Sequence, residues 1–369
     1  MEPKPLSLLI LGCIGSGLIA LFDSSPALGR QAVSTAPVPP APVSPATLSP
    51  TTAIAQPLLA QARPPAGQAR LRYSLQGHNG GVNSIVFSPF NQFVISGSVD
   101  RTIRIWDLKT GEAVQTLNNS LAVSAVTLSP NGNFIYSTGP AYKPSVKIWQ
   151  RSTGQLKQVI NDFKAVVRAL DVSSDGNVLA TAVLDGNIEL WDTATGDRLR
   201  TLTGHTDVVT AVAFAPGGRT LVSGGGGRDR TVRIWNADKA TLLHTMTDHK
   251  DWVLDVAVSN NGRYVVSASA DRTLKLWELD SGKLIRTFSG HSNWARSVAI
   301  SPDNDRIVSG SKDGTVKVWD LKTGALLYDI KATTKGIDEV RDVAFASDNK
   351  TVMAGVTDGL VKIWTLEER

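Results

Sequence analysis

Residues 294–330 read WARSVAIS, PDND, RIVSG, SKDG, TVKVWD, LKTG and ALLYDI in succession. Four short runs alternate apolar and polar residues. Breaks rich in Gly, Asp, Asn and Pro separate them. Alternation with period two puts one side of each run toward a core, so the segment reads as antiparallel strands joined by tight turns. The same pattern recurs along the chain. A Trp preceded by alternating apolar residues closes TIRIWD (Trp106), SVKIWQ (Trp149), NIELWD (Trp191), TVRIWN (Trp235), TLKLWE (Trp277), TVKVWD (Trp319) and LVKIWT (Trp364). The spacings are 43, 42, 44, 42, 42 and 45, and seven of the nine tryptophans are used this way. A fixed period of this length marks a repeat architecture.

One four-stranded sheet cannot bury both faces alone, whereas sheets stacked around an axis can. The reading is therefore an all-β fold over residues 70–369: a seven-bladed β-propeller of four-stranded antiparallel blades. The seventh unit ends five residues after Trp364 and lacks its outermost strand. The segment ARLRYSLQGH (69–78) aligns with GDRLRTLTGH (196–205), which leads from unit three into unit four. Residues 70–76 are expected to complete the last blade and so remove an exposed sheet edge.

Four units open on a Gly-His or Asp-His pair, at Gly77-His78, Gly204-His205, Asp248-His249 and Gly290-His291. With the Trp-Asp ending and the 42-residue period, this resembles the WD-repeat family across residues 70–369. The resemblance implies a hydrogen-bonded set of His, Ser or Thr, Asp and Trp in each blade. Unit one supplies His78, Ser96, Asp100 and Trp106, and unit four His205, Ser223, Asp229 and Trp235. Unit five supplies His249, Ser267, Asp271 and Trp277, and unit six His291, Ser309, Asp313 and Trp319. Units two (Asn119, Ser137, Lys143), three (Phe163, Thr181, Asp185) and seven (Gly336, Ala354, Asp358) depart from it. Those three are expected to rely more on apolar packing, since a half-satisfied polar network is costly.

A His, Ser and Asp together also suggest a hydrolase triad. Against this, the set recurs four times at one spacing, always with the Trp. No Gly-x-Ser-x-Gly elbow, His-Glu-x-x-His or phosphate loop is present. The glycine run 224–227 sits before Asp229 without a following Lys and reads as a stretched turn. No catalytic residue, cofactor or metal site is expected.

The resemblance further implies that partners bind the narrower, top face. Positions three and five after the His position, and the one before the Asp, point there. They include Arg168, Arg228, Trp252, Leu254, Trp294, Arg296, Lys312 and Arg341, together with Asn83, Ser124, Tyr142, Thr210 and Glu339. Trp252 and Trp294 are the two tryptophans the repeat does not require, and Arg296 and Arg341 accompany them. Trp and Arg dominate binding hot spots, so blades five to seven are the expected contact patch for a protein or peptide. Local packing is the alternative role for both rings. The innermost strands VNSIVFS, AVSAVTLS and VVTAVAFA are small and apolar. This favours a non-catalytic scaffold over a second possibility, a small-ligand receptor or enzyme using the central channel.

Residues 1–69 stand apart. Leu6–Phe22 is free of charge and follows Lys4, which fits both a cleaved export signal (1–25) and a retained membrane anchor. Ten of the 18 prolines lie between Pro26 and Pro65. Residues 26–69 therefore read as a disordered Pro/Ala-rich linker. Together these suggest a bacterial protein, exported or membrane-anchored, with a monomeric ring. The net charge of +5 is dispersed, +1 of it in residues 1–69, which argues against nucleic acid. Cys13 is the sole cysteine, so the ring has no disulfide.

Overall fold

The computed structural model describes residues 67–140, 143–333 and 336–367. The expected signal or anchor, nearly all of the linker, and Tyr142 lie outside the described residues. The described residues form 28 strands in seven four-stranded antiparallel sheets. Six sheets use consecutive strands. Blade six, for example, is Ala295–Ile300, Arg306–Ser311, Thr315–Asp320 and Leu326–Lys331. The seventh combines Val340–Phe345, Thr351–Val356 and Val361–Glu367 with Gln68–Leu75 from the beginning of the ring. That strand runs from the Gln68↔Glu367 pair to Leu75↔Val361. It begins two residues before the expected boundary at 70.

The core lies between neighbouring blades. Val308, Val316 and Val318 of blade six pack with Val340, Val352 and Trp364 of blade seven. Leu75, Val361 and Ile363 of the closing blade pack with Val82, Val94 and Trp106 of blade one. Each anchor Trp is buried, and six of the seven indole N–H groups donate to a hydroxyl in the same blade. This suits a residue that brings both large apolar area and a donor that must be satisfied. In blade seven the acceptor position is Ala354, and Trp364 is held by packing.

The four full networks have one geometry. In blade one, His78 Nδ1 lies 2.8 Å from Asp100 Oδ2 and Nε2 lies 2.7 Å from Ser96 Oγ. Trp106 Nε1 donates to the same Oγ at 2.8 Å. Blades four, five and six repeat these contacts within 2.7–3.0 Å. Burial lowers the pKa of His78 and His205, so both are neutral near pH 7. The donors then run one way, from Trp to Ser to His to Asp, with none left over. The serine is 0% exposed in all four blades, which leaves no space for a substrate at its hydroxyl. The set is structural cement.

Blade two departs from the expectation of mainly apolar support. Its Asn119 takes the His position and accepts from Ser137 Oγ at 3.3 Å, and Lys147 Nζ donates to the Asn119 carbonyl. Blade three replaces the His ring by Phe163, tilted 55° to Trp191 with ring centroids 4.7 Å apart. The chain in blade two is long at its Ser137–Asn119 link, 3.3 Å, and stops there, whereas that of blade six continues through His291 to Asp313. Its amides in Phe134–Thr138 should exchange faster than those of Arg306–Ser311 in blade six. Equal protection in a hydrogen-exchange experiment would show that the network adds nothing to local stability.

Candidate functional site: the channel mouth

Position five after the His position is held by Asn83, Ser124, Arg168, Thr210, Leu254, Arg296 and Arg341. All seven line one cavity of about 120 Å³ on the ring axis. The backbone explains why. In six blades the innermost strand shifts register across this residue, as between Val167 and Ala169 or Val340 and Asp342. A bulge leaves one residue unpaired and re-aims its side chain. In blade two the strand begins only at Ala125, just after this position. The repeat register thus assigns Arg168, Leu254, Arg296 and Arg341 to a shared ring, and the structure puts that ring at the channel mouth.

The expectation of a small, apolar channel is corrected here. It came from the innermost strands of units one, two and four. The strands of units three, five, six and seven, VRALDV, VLDVAV, ARSVAI and VRDVAF, carry Arg168, Asp171, Asp255, Arg296, Arg341 and Asp342. The aspartates tie neighbouring blades together. Asp342 accepts from the Ile85 amide at 2.8 Å and from Ser297 Oγ at 2.8 Å. Asp255 accepts from the Val298 amide at 2.9 Å, and Asp171 from the Phe214 amide at 2.6 Å. Burial pushes Asp171 up to about 6, and burial with the neighbouring Asp342 pushes Asp255 up to about 7.

Above them sits a cluster of cations. Glu339 pairs with Arg296 at 2.7 Å, Lys312 at 3.5 Å and Arg341 at 3.6 Å. Arg296 and Lys312 also flank Trp294, at 5.4 and 4.5 Å from a ring centroid. Burial, then the charge of Arg296, pulls Arg341 down to about 10. Arg168 keeps contact with channel solvent, yet the protein crowded around it and the nearby Arg296 lower its pKa as well. Sequence reasoning placed Glu339 on this face but could not see that three of the expected binding cations converge on it.

Trp252 and Trp294 are both half-buried. Trp252 lies over the glycine turn, where a Cβ on Gly226 would come within 2.9 Å of the ring. A Cβ on Gly225 would collide with Asp229 at 2.1 Å. The turn is therefore more than stretched: its glycines make room for the indole and the buried carboxylate. Each Trp keeps a partly exposed surface beside its local packing. Arg228 is exposed and stands outside the channel cavity. Among the described residues no group of three or more His, Cys, Asp or Glu is arranged to hold a metal ion.

Seven four-stranded blades closed by the first strand, with a repeated Trp-Ser-His-Asp chain, define a seven-bladed WD-type propeller. The chain belongs to the WD-repeat family. The family model described as "WD domain, G-beta repeat" matches residues 69–107, 111–150, 154–192, 196–236, 240–278, 282–320 and 325–365. Each match begins on an outer strand, so the sequence repeat is offset by one strand from the blade. The chain is 34% identical over 168 residues to nuclear distribution protein PAC1 of Arthroderma benhamiae, covering 42% of this chain and 36% of that protein. It is 32% identical over 187 residues to small ribosomal subunit protein RACK1 of Caenorhabditis elegans, covering 39% of this chain and 57% of that protein. The match to mitochondrial division protein 1 of Saccharomyces cerevisiae is 34% over 138 residues, 37% of this chain and 16% of the relative. The chain thus spans well under two thirds of these relatives' length, and all three are eukaryotic.

Proposed function

We propose that the ring is a non-catalytic scaffold that captures a protein or peptide on the face carrying Trp252, Trp294 and the channel mouth. The observation that carries this is the group of half-buried indoles and clustered cations in blades five to seven, which the repeat does not require and which stands apart from the buried Trp-Ser-His-Asp chains. The name of one relative, a small ribosomal subunit protein, describes a part of a larger assembly. A channel enzyme or receptor is disfavoured by size, because drug-sized ligands occupy ~300–1,000 Å³ and the axial cavity offers about 120 Å³. A larger cleft of about 490 Å³ lies at the opposite strand ends, between blades seven and one. It is lined by Phe87, Phe93, Leu108 and charged residues such as Arg72 and Asp348.

The monomeric ring works outside the cytoplasmic membrane of a bacterium in this reading. Support comes from the charge-free Leu6–Phe22 behind Lys4 and the Pro-rich stretch after it. Cell fractionation of the full chain tests the location. For the site, Trp252→Ala combined with Trp294→Ala should abolish capture of the partner from cell extract while the melting temperature falls by no more than a few degrees. Capture that survives the double change would overturn the assignment of this face. Unfolding would assign both rings to packing.

A further inference from the structure

Resting on the reading of this face as the binding face, we propose that the channel mouth is an oxyanion socket. It takes a carboxylate or phosphoryl group presented by a peptide. Four cations converge there: Arg168, Arg296, Arg341 and Lys312. One carboxylate, Glu339, faces them, which leaves three positive charges uncompensated. Asp255 and Asp342 line the same cavity and are committed to backbone and serine donors of their own and neighbouring blades. Even with both ionised, one positive charge remains. Arg168 has neither a hydrogen bond nor an ion pair among the described residues, although it lines the same cavity as Arg296 and Arg341. Arg296 and Arg341 each keep a buried Nε without a hydrogen-bond partner.

A protein does not gather guanidinium groups at close quarters without cost, because like charges repel more strongly where low-dielectric walls focus the field. An entering oxyanion relieves that repulsion and meets planar donors suited to two-point hydrogen bonding. The cavity of about 120 Å³ is sized for one such group and a few waters. Trp294 stands beside this group, with Arg296 and Lys312 at 5.4 and 4.5 Å from a ring centroid, and its remaining exposed surface would meet the peptide carrying the anion. The inserted group would compete with Glu339 for Arg296 and Arg341.

The test uses the purified full chain in mild detergent and three labelled Gly/Ser peptides. They are identical except for a central triplet of glutamate, phosphoserine or glutamine. Fluorescence anisotropy should show both acidic peptides binding at least about tenfold more tightly than the glutamine peptide at low salt, with the advantage shrinking as salt rises. Inorganic phosphate should displace them. Arg168→Gln should cost about tenfold, one charge-assisted contact, without lowering the melting temperature, since that side chain makes no hydrogen bond among the described residues and its removal relieves repulsion among the arginines. Arg219→Gln, an exposed arginine on an outer turn, should change nothing. Whichever acidic peptide binds tighter identifies the source of the oxyanion. Equal binding of the glutamine peptide, or an Arg168→Gln protein that binds normally, would overturn the proposal. So would binding of phosphate without either acidic peptide. If partner capture survives while these fail, the scaffold reading stands and the socket falls. If the peptides bind through Arg168 while capture fails, the reverse holds.

Discussion

Deleting residues 67–75 will cost the ring more than any point substitution. Their strand supplies the whole outer edge of blade seven, paired from Gln68↔Glu367 to Leu75↔Val361. It also places Leu75, 3% exposed, in the cluster with Val361, Ile363 and Trp106. Burying one leucine is worth ~1.5–3 kcal/mol, and each ladder hydrogen bond adds ~0.5–1.5 kcal/mol net. A loss of at least ~5 kcal/mol follows, which lowers the melting temperature by about 10 °C or more. Tyr73 adds a bond that spans the blade junction, its hydroxyl donating to the Lys109 carbonyl at 3.0 Å. The freed strand Val361–Glu367 becomes an unpaired edge, a template for association. Calorimetry should show the lower transition, and light scattering should show oligomers. A synthetic peptide of residues 67–76 added in trans should restore part of the loss. Unchanged melting would mean that the ring is closed by blade-to-blade packing alone.

This closing strand is legible in the sequence because the repeat is offset from the blade. An outer-strand segment without a blade of its own has to belong to the incomplete seventh unit. The four polar networks are equally legible, since their residues recur at one spacing. The channel is not. Three innermost strands rich in small residues suggest a plain lumen, yet Arg168, Asp255, Arg296, Arg341 and Asp342 stand at equivalent places in the other four. The signal is present in VRALDV, VLDVAV, ARSVAI and VRDVAF, but alternation alone reads an inward charge on a strand as solvent-facing. Register shifts between residues such as Val253 and Asp255 decide where those side chains point, and sequence periodicity does not show a bulge. The grip of Glu339 on Arg296, Lys312 and Arg341 depends on blades six and seven meeting, and no local pattern encodes that. The glycines at 225 and 226 are visible as a run, but their reason, the Asp229 carboxylate and the Trp252 ring, is tertiary.

Asp229→Ala is expected to be the most damaging single change in the networks, at ~3–5 kcal/mol, because it strands a buried cation. The Asp229 side chain is fully buried. It accepts from His205 at 2.8 Å, the Thr206 amide at 2.7 Å and the Thr231 amide at 3.1 Å, as well as from the Thr231 hydroxyl. It also pairs with Arg233 at 3.2 Å, itself only 8% exposed. Asp100→Ala should cost less, since the Asp100 side chain touches solvent and Arg104 lies over Trp106 instead of binding it. Adding Arg233→Leu to Asp229→Ala should recover part of the loss, whereas Arg104→Leu should not help Asp100→Ala. Equal costs at the two sites would remove the role assigned to Arg233. The pH dependence gives a second check. Burial alone would raise the Asp229 pKa, but hydrogen bonds from His205, Thr231 and Thr206 outweigh it and hold it far below the usual carboxylate range. Its contribution is therefore complete above the unfolded value of ~3.9 and disappears as pH falls toward the folded one. His205, lowered by burial, acts in the same direction, losing stability as pH drops below its ordinary 6.5. Asp171 and Asp255 act oppositely: their raised values make the fold lose stability as pH rises from ~4 through about 6 and about 7. Both variants keep that channel term, so it cancels in the comparison. The gap between wild type and Asp229→Ala in urea midpoints should be full at pH 7 and narrow below about pH 4. A gap as wide at pH 3 as at pH 7 would mean that the carboxylate's volume holds the turn together and its charge does not.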